Sequence, residues 1–316
     1  MAGSWYSAHD IPRREAAIKE KEKANPMRVL VTGSEGVIGR VLTQTLRDQG
    51  YDLRTLDARA QPNGEGEHIA GDLRDIYMVR RAVQGMEAVV HLAAIPRDVP
   101  GQEDQVLTAN VQGTWNVLIA CAEAGVKRLI YFSSINALGN FGPERPAGYL
   151  PIEDAASPQP LSPYQISKHL GEEMCRAFSA QHGLITLCLR PVIVVHAEQF
   201  YPKARTGALD AEWMRSGYWA YVDVRDVCEA ALRALTVPNV THDAFLLTAA
   251  DTMTATPTAE LIAAHYPNTP WPKIAQAVYL ADNPYRSLID CSHAAKVLGW
   301  QPQYSWREPV APPFTP

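Results

Sequence analysis

The chain has 316 residues, 47% of them hydrophobic and 20% charged, with a formal net charge of −5. This is the make-up of an ordinary globular protein. It leaves no basic footprint for nucleic acid, and no apolar run is long enough to span a bilayer.

Residues 1–26, "MAGSWYSAHDIPRREAAIKEKEKANP", lack the apolar centre of a secretory signal and read as an arm or extension. From Met27 the pattern alternates. "MRVLVTG" is a short apolar run ending in glycine, and "VIGRVLTQTLRDQG" has helical spacing with a glycine stop at Gly50. "YDLRTLD" and "EHIAGDL" read as strands, "DIYMVRRAVQG" as a helix and "EAVVHLAAIP" as a strand. "DQVLTANVQGTWNVLIACAEAG" reads as one long helix, followed by the strand "VKRLIYFSSI". After a Pro- and Gly-rich loop, Ser162 and Pro163 supply the cap and first residue of the next helix. "LITLCLRPVIVV" reads as a single strand, "YVDVRDVCEAALRAL" as a helix and "DAFLLTAA" as a last strand.

Strands alternating with helices make βαβ units and a parallel sheet. The expected fold is α/β, a Rossmann-type doubly wound parallel sheet with a small substrate-binding cap. The dinucleotide-binding domain is expected over 27–194 and 218–250, and the cap over 195–217 and 251–316. Such a sheet binds ligands outside the carboxyl ends of its strands.

"TGSEGVIG" puts Gly33, Gly36 and Gly39 at a strand-to-helix junction. Glycines there permit a tight turn and a close backbone approach to a pyrophosphate, and the helix N-terminus beyond favours negative charge. Asp57 ends the second strand, where a carboxylate accepts from both hydroxyls of an adenosine ribose and repels a 2′-phosphate. That favours NAD over NADP, although Arg40 and Arg59 lie near enough to serve a 2′-phosphate. Asp72 follows the third strand, within reach of an adenine. Tyr164 and Lys168 are four apart, hence on one helix face.

The cysteines, Cys121, Cys175, Cys188, Cys228 and Cys291, form no CxxC pair and read as buried thiols of a reducing, cytoplasmic setting. The histidines show no ligand spacing, so no metal is assigned. His91 reads as a strand histidine packed behind the cofactor, and Cys188 as core.

The strings "TGSEGVIG", "GDL", "VVHLAA", "NVQGT" from Asn110, "YFSS" and "YQISK" stand in the order and spacing of the extended short-chain dehydrogenase/reductase family, which the chain resembles over about 28–306. The tail "LIDCSHAAKVLGWQPQYSWRE" is also similar to that family's C-terminal segment. The resemblance implies an NAD-dependent oxidoreductase in which Tyr164 is the acid/base and Lys168 holds the nicotinamide ribose. It implies that Ser134 bonds the reacting oxygen and that Asn110 shapes the site around the lysine. Cofactor contacts are implied for Val37, Ile38, Leu73, Leu92, Ala93, Ala94 and Pro191, beside the three glycines, Asp57 and Asp72. A free tyrosine titrates near about 10, and a positive charge one turn away is expected to favour its phenolate.

Extended members that dehydrate nucleotide sugars carry an acidic pair after the active serine or threonine; here Ile135 and Asn136 follow Ser134, which argues against dehydration. The segment "VVHAEQFYPKARTGALDAEWMRSGYWA" is short for a nucleotide grip. A small sugar or sugar acid is therefore the expected substrate, with proportions similar to uronate dehydrogenases. The segment "INALG" lacks the histidine expected of those enzymes. Arg97 and Asn136 are candidate substrate contacts, Arg97 for a carboxylate. The alternatives are a nucleotide-sugar epimerase and a non-catalytic NAD-binding protein. The resemblance further suggests a homodimer through the helices holding Asn110 and Tyr164.

Overall fold

The computed structural model describes residues 26–60, 66–139 and 145–309; the N-terminal arm up to residue 25 lies outside them. The first half of the chain runs β1 (Arg28–Thr32), α1 (Val37–Asp48), β2 (Asp52–Asp57), β3 (Glu67–Ala70), α2 (Ile76–Val83) and β4 (Ala88–His91). It continues through α3 (Glu103–Leu107), a π turn (Thr108–Gln112), α4 (Gly113–Ala124), β5 (Arg128–Phe132), a 3-10 turn (Ile135–Leu138) and α5 (Pro163–His182). The second half holds β6 (Ile185–Pro191), β7 (Ile193–Val195), α6 (Ala197–Arg205), α7 (Ala211–Ser216), β8 (Tyr221–Asp223) and α8 (Val224–Thr236). It closes with β9 (His242–Leu247), α9 (Thr258–His265), α10 (Gln276–Tyr279) and α11 (Ser292–Leu298).

Seven strands form one parallel sheet in the order β3-β2-β1-β4-β5-β6-β9. The strand order reverses between β1 and β4, where the crevice of a doubly wound sheet opens. The central strands are wholly buried: Val29, Leu30 and Val31 of β1 and Val89 and Val90 of β4 are all 0% exposed. Burial on both faces explains their unbroken apolar runs. Leu42 and Leu46 of α1 and Val227 of α8 pack on one face. Val79 of α2, Val117 of α4 and Cys175 of α5 pack on the other.

Three expectations change in detail. The single strand expected over "LITLCLRPVIVV" is two: β6 stays in the main sheet, while β7 leaves it and pairs with β8 in a separate two-stranded sheet. The residue between them, Val192, donates its N–H to Leu247 O at 3.1 Å, the last bond to the main sheet. The expected helix from Tyr221 begins only at Val224, because Tyr221–Asp223 form β8 and Asp223 caps α8 by accepting from Arg225 N. The long helix of 104–125 is interrupted by the π turn, which contains Asn110. Single π turns inside helices are rare and cluster at functional positions.

Part of the C-terminal tail packs beside the main sheet. α11 packs on β9 and α8 at the sheet margin, and Trp300 beyond it is 0% exposed with its indole N–H on Asp226 O at 2.8 Å. The Asp226 carboxylate accepts from Gln303 N at 2.8 Å and Tyr304 N at 3.2 Å. These bonds fasten the C-terminal segment to α8. No described helix is long and apolar enough to cross a membrane.

Burial pushes the Asp226 carboxyl up to about 7. A raised value means that the folded state keeps a proton the unfolded chain releases, so this group's contribution is greatest at low pH and fades as pH rises through about 7. Asp226→Ala is expected to lower unfolding free energy in urea by about 2 kcal/mol, from two lost hydrogen bonds. It should also flatten the fall in stability between pH 3.8 and about 7. An unchanged urea midpoint and pH slope would refute this role.

Candidate active site

The turn after β1 is shaped by close approach. Gly33 has φ +73, and a Cβ on it would stand 2.6 Å from Ala93 N; a Cβ on Gly39 would stand 2.1 Å from Gly33 O. Only glycine leaves this cradle open. Gly36 is the N-cap of α1 and provides no side-chain cap, so the first N–H groups of the helix point to where an anion would sit. Asp57, at the end of β2, accepts from Glu35 N at 2.9 Å and from Arg59 N at 2.9 Å. Its pKa is lowered: burial raises it, but the Arg59 bonds and charge and the Glu35 N–H outweigh that. The two arginines that could have served a 2′-phosphate are both paired, Arg59 with Asp57 at 3.2 Å and Arg40 with Glu35 at 3.2 Å.

Gly33, Gly36, Asp57 and Arg59 line a groove of about 310 Å³ that also takes in Asp72, Leu73, Ala93 and Gln105; Gly39 is not among its lining residues. Asp72 is engaged by Arg74, whose guanidinium lowers its pKa. Leu92 and Ala94, following β4, line both this groove and a second cavity of about 540 Å³, so the two run into one another along the strand ends. An elongated site with a glycine cradle, a helix N-terminus without a side-chain cap and a carboxylate at the end of β2 fits a dinucleotide. Gly33, Gly36, Asp57, Asp72, Leu73 and Ala93 lie at one end of it; Val37, Ile38 and Pro191 lie at the other.

The second cavity holds the expected chemical group. Ser134, Tyr164, Lys168 and Asn136 all line it. Ser162 caps α5 and forms a reciprocal capping box with Gln165, with Pro163 at the first helical position, so Tyr164 and Lys168 stand in the first turns of a firmly started helix. Asp98 adds a further bond, accepting from Tyr164 N at 2.8 Å. Ser134 is the N-cap of the 3-10 turn, and its hydroxyl accepts from Asn136 N at 3.1 Å and is hydrogen-bonded to the Tyr164 side chain.

The electrostatics depart from expectation. Burial pushes Tyr164 up to about 12, against the Ser134 hydrogen bond that pulls it down. Lys168 is pushed down to about 8 by its own burial, while the Glu172 carboxylate holds it up. The Lys168 ammonium donates to Phe132 O at 2.8 Å and lies 5.9 Å from the Tyr164 ring centroid. Lys168 is not among the groups that move Tyr164; desolvation of the phenol is the largest influence on it.

Asn110 is 1% exposed and binds the loop after β4, accepting from Ile95 N at 2.7 Å and donating to Ile95 O at 3.0 Å. Its amide also donates to Ser167 Oγ at 3.0 Å. It reaches the lysine's neighbour rather than the lysine. His91 lies between Thr32 Oγ1 at 2.7 Å and Thr114 Oγ1 at 3.1 Å. Burial, and then the Lys168 charge, push it down to about 3, so it is neutral and packed behind the site as expected. Arg97 is exposed and is not among the residues lining the cavity, so the geometry forms no carboxylate grip there.

Sequence reasoning missed Glu172. It is 6% exposed, receives two hydrogen bonds from Arg190 at 2.8 and 2.7 Å, and accepts from Ser133 Oγ at 2.5 Å. Tyr164, Lys168 and Glu172 follow at successive four-residue steps, so helical spacing was the available signal. Trp213 and Ser216 of α7, which also line the cavity, carried no local signal. All five cysteines are free thiols, and no His/Cys/Asp/Glu group capable of holding a metal occurs among the described residues.

With this geometry in place, residues 29–245 match the model of the NAD-dependent epimerase/dehydratase family. A uronate dehydrogenase of Pseudomonas syringae is 30% identical over 219 residues, 68% of this chain and 72% of that one. A 3beta-hydroxysteroid-dehydrogenase/decarboxylase isoform of Arabidopsis thaliana is 37% identical over 134 residues, 41% of this chain but 22% of that one. A short-chain dehydrogenase/reductase superfamily structure from Agrobacterium tumefaciens with bound NAD superposes with a TM-score of 0.68 at 25% identity, covering 88% of this chain and 93% of that one. The chain belongs to the NAD-dependent epimerase/dehydratase family, the extended short-chain dehydrogenases/reductases, and is an NAD-dependent oxidoreductase.

Proposed function

We propose that the chain oxidises a secondary alcohol carbon of a small free sugar or sugar acid, with Tyr164 as acid/base. The observation that carries this reading is the meeting of Tyr164, Ser134 and Lys168 in one cavity continuous with the dinucleotide groove. The relative named a uronate dehydrogenase supports a sugar-type substrate, and the short cap supports one without a nucleotide. NAD supplies the hydride acceptor. Tyr164 takes the hydroxyl proton as the hydride leaves the carbinol carbon. Ser134 holds the same oxygen, and Lys168 bonds the cofactor ribose. Asn110 acts at one remove by fixing the loop after β4, and Asp57 receives the adenosine ribose hydroxyls.

Tyr164 must lose a proton that burial makes it keep, so the oxidation rate should rise with pH until Lys168 begins to discharge near about 8. Tyr164→Phe should lower kcat by about 10³-fold while NAD still quenches protein fluorescence. NADH release by the variant at the parent's rate would end the assignment. NAD binding with no NADH from any free sugar or sugar acid would instead favour the epimerase reading, which a nucleotide-sugar interconversion assay would check.

Glu172 is a positioning residue in this scheme. It joins α5 to the ends of β5 and β6 and keeps Lys168 charged. Glu172→Gln should lower kcat and move the alkaline limb of the pH profile to lower pH. A loss of activity with that limb unmoved would reduce Glu172 to a packing role.

We further assign the chain to the cytoplasm, on its five free thiols, and to a homodimer formed through α4 and α5. Trp115 on α4 and Leu170 on α5 remain 48% and 40% exposed, apolar side chains that such a dimer would cover. Trp115→Asp should halve the mass found by sedimentation. A parent protein that sediments as a monomer would refute the dimer.

A further inference from the structure

The substrate end of the cavity is almost free of charge. Among the described residues lining it, Lys168 is the only cation and there is no carboxylate. Lys168 is 4% exposed and already donates to Phe132 O. Arg215 of α7 ion-pairs Glu212 at 2.5 Å and is not among the residues lining the cavity. Beyond the Ser134–Tyr164 pair and Lys168 the lining includes the apolar Pro96, Ile193, Val194 and Trp213, and its polar members are Ser133, Asn136 and Ser216.

Trp213 is 39% exposed, and its ring centroid lies 5.9 Å from that of Phe200. An indole seated on one aromatic neighbour and open elsewhere offers a flat apolar platform. The Ser216 hydroxyl donates to Trp213 O at 2.7 Å, which leaves its oxygen as an acceptor.

The position of this wall is held firmly. Tyr218 and Trp219, just after α7, have φ of 55° and 54°. A bulky residue held at such a φ is strained and persists only where its surroundings enforce it. Both are buried, at 0% and 4% exposure. The Tyr218 ring stacks on Tyr266 at 4.9 Å, and its hydroxyl accepts from Ala147 N at 2.6 Å. The C-terminal end of α7, with Ser216, is thereby pinned to the core.

A carboxylate brought against this wall would give up water and find, among the described lining residues, no cation but Lys168, which already donates to Phe132 O; that is costly. Neutral hydroxyls could bond to Asn136 and Ser216, while C–H groups lie against Trp213, Ile193 and Val194. We infer that the cavity selects a neutral hydroxylated ring with one apolar face, seated on Trp213, over the corresponding sugar acid. This rests on the dehydrogenase reading above and narrows it.

The test compares matched pairs, glucose with glucuronate and galactose with galacturonate, by NADH release and, separately, by calorimetric binding to Tyr164→Phe protein saturated with NAD. Neutral members should exceed their acids at least tenfold in kcat/KM and in affinity. Trp213→Arg should shift the acid-to-neutral ratio at least tenfold towards the acid. Equal treatment of the pairs, preference for the acids, or a ratio unmoved by Trp213→Arg would each overturn the inference. Binding selectivity without NADH release would uphold it while removing the dehydrogenase reading, so the two fail separately.

Discussion

A buried carboxylate, Glu172, meets two buried partners that belong to different elements: Arg190 at the end of β6 and Ser133 just past β5. The helix that carries it also carries Tyr164 and Lys168. Residues next to its partners, Ser134 and Pro191, line the cavity. A charged pair this well buried is maintained only when nearly every lone pair is used, and here Arg190 spends a further N–H on Asp154 O at 2.9 Å. The distances among the reacting groups thus depend on one ion pair that touches none of the reactants.

Close packing reinforces the same junction. A Cβ on Gly171 would stand 2.1 Å from Tyr131 Oη, so glycine at this point lets α5 lie directly on β5. Lys168, one turn earlier, can then reach the Phe132 carbonyl. The cost is desolvation, which drives Lys168 down and Tyr164 up. Both groups are pushed towards neutrality, and Ser134 and Glu172 are the counterweights built into the chain.

What the sequence made legible was local. The helix cap at Ser162, the glycine turn at Gly33 and the carboxylate ending β2 each depend on near neighbours, and each is found where its residues predict it. The helix periodicities and the parallel sheet belong to the same class. What stayed hidden depends on distant partners. Nothing in "LRPVIVV" states that Val192 bonds the last residue of β9 and that Ile193 then leaves the sheet for β8. The π turn at Asn110 owes its sense to the Ile95 loop and Ser167. Arg97 was judged from its place after β4, but position along the chain does not fix the direction of a long side chain on a loop.

The same distinction separates the two halves of the site. The dinucleotide half is built from backbone geometry, which few residue types permit, so a short motif discloses it. The substrate half is a surface assembled from Pro96, Asn136, β7 and α7, segments far apart in sequence with no shared motif. Its chemistry follows from what those side chains add up to. One committed ammonium and an apolar wall make a field that resists a second, unpaired charge. Tyr164, half-buried beside such a wall, is held towards its neutral form by desolvation, and Ser134 is the neighbour that opposes the shift. A neutral wall and a high tyrosine pKa are therefore two consequences of the same exclusion of water.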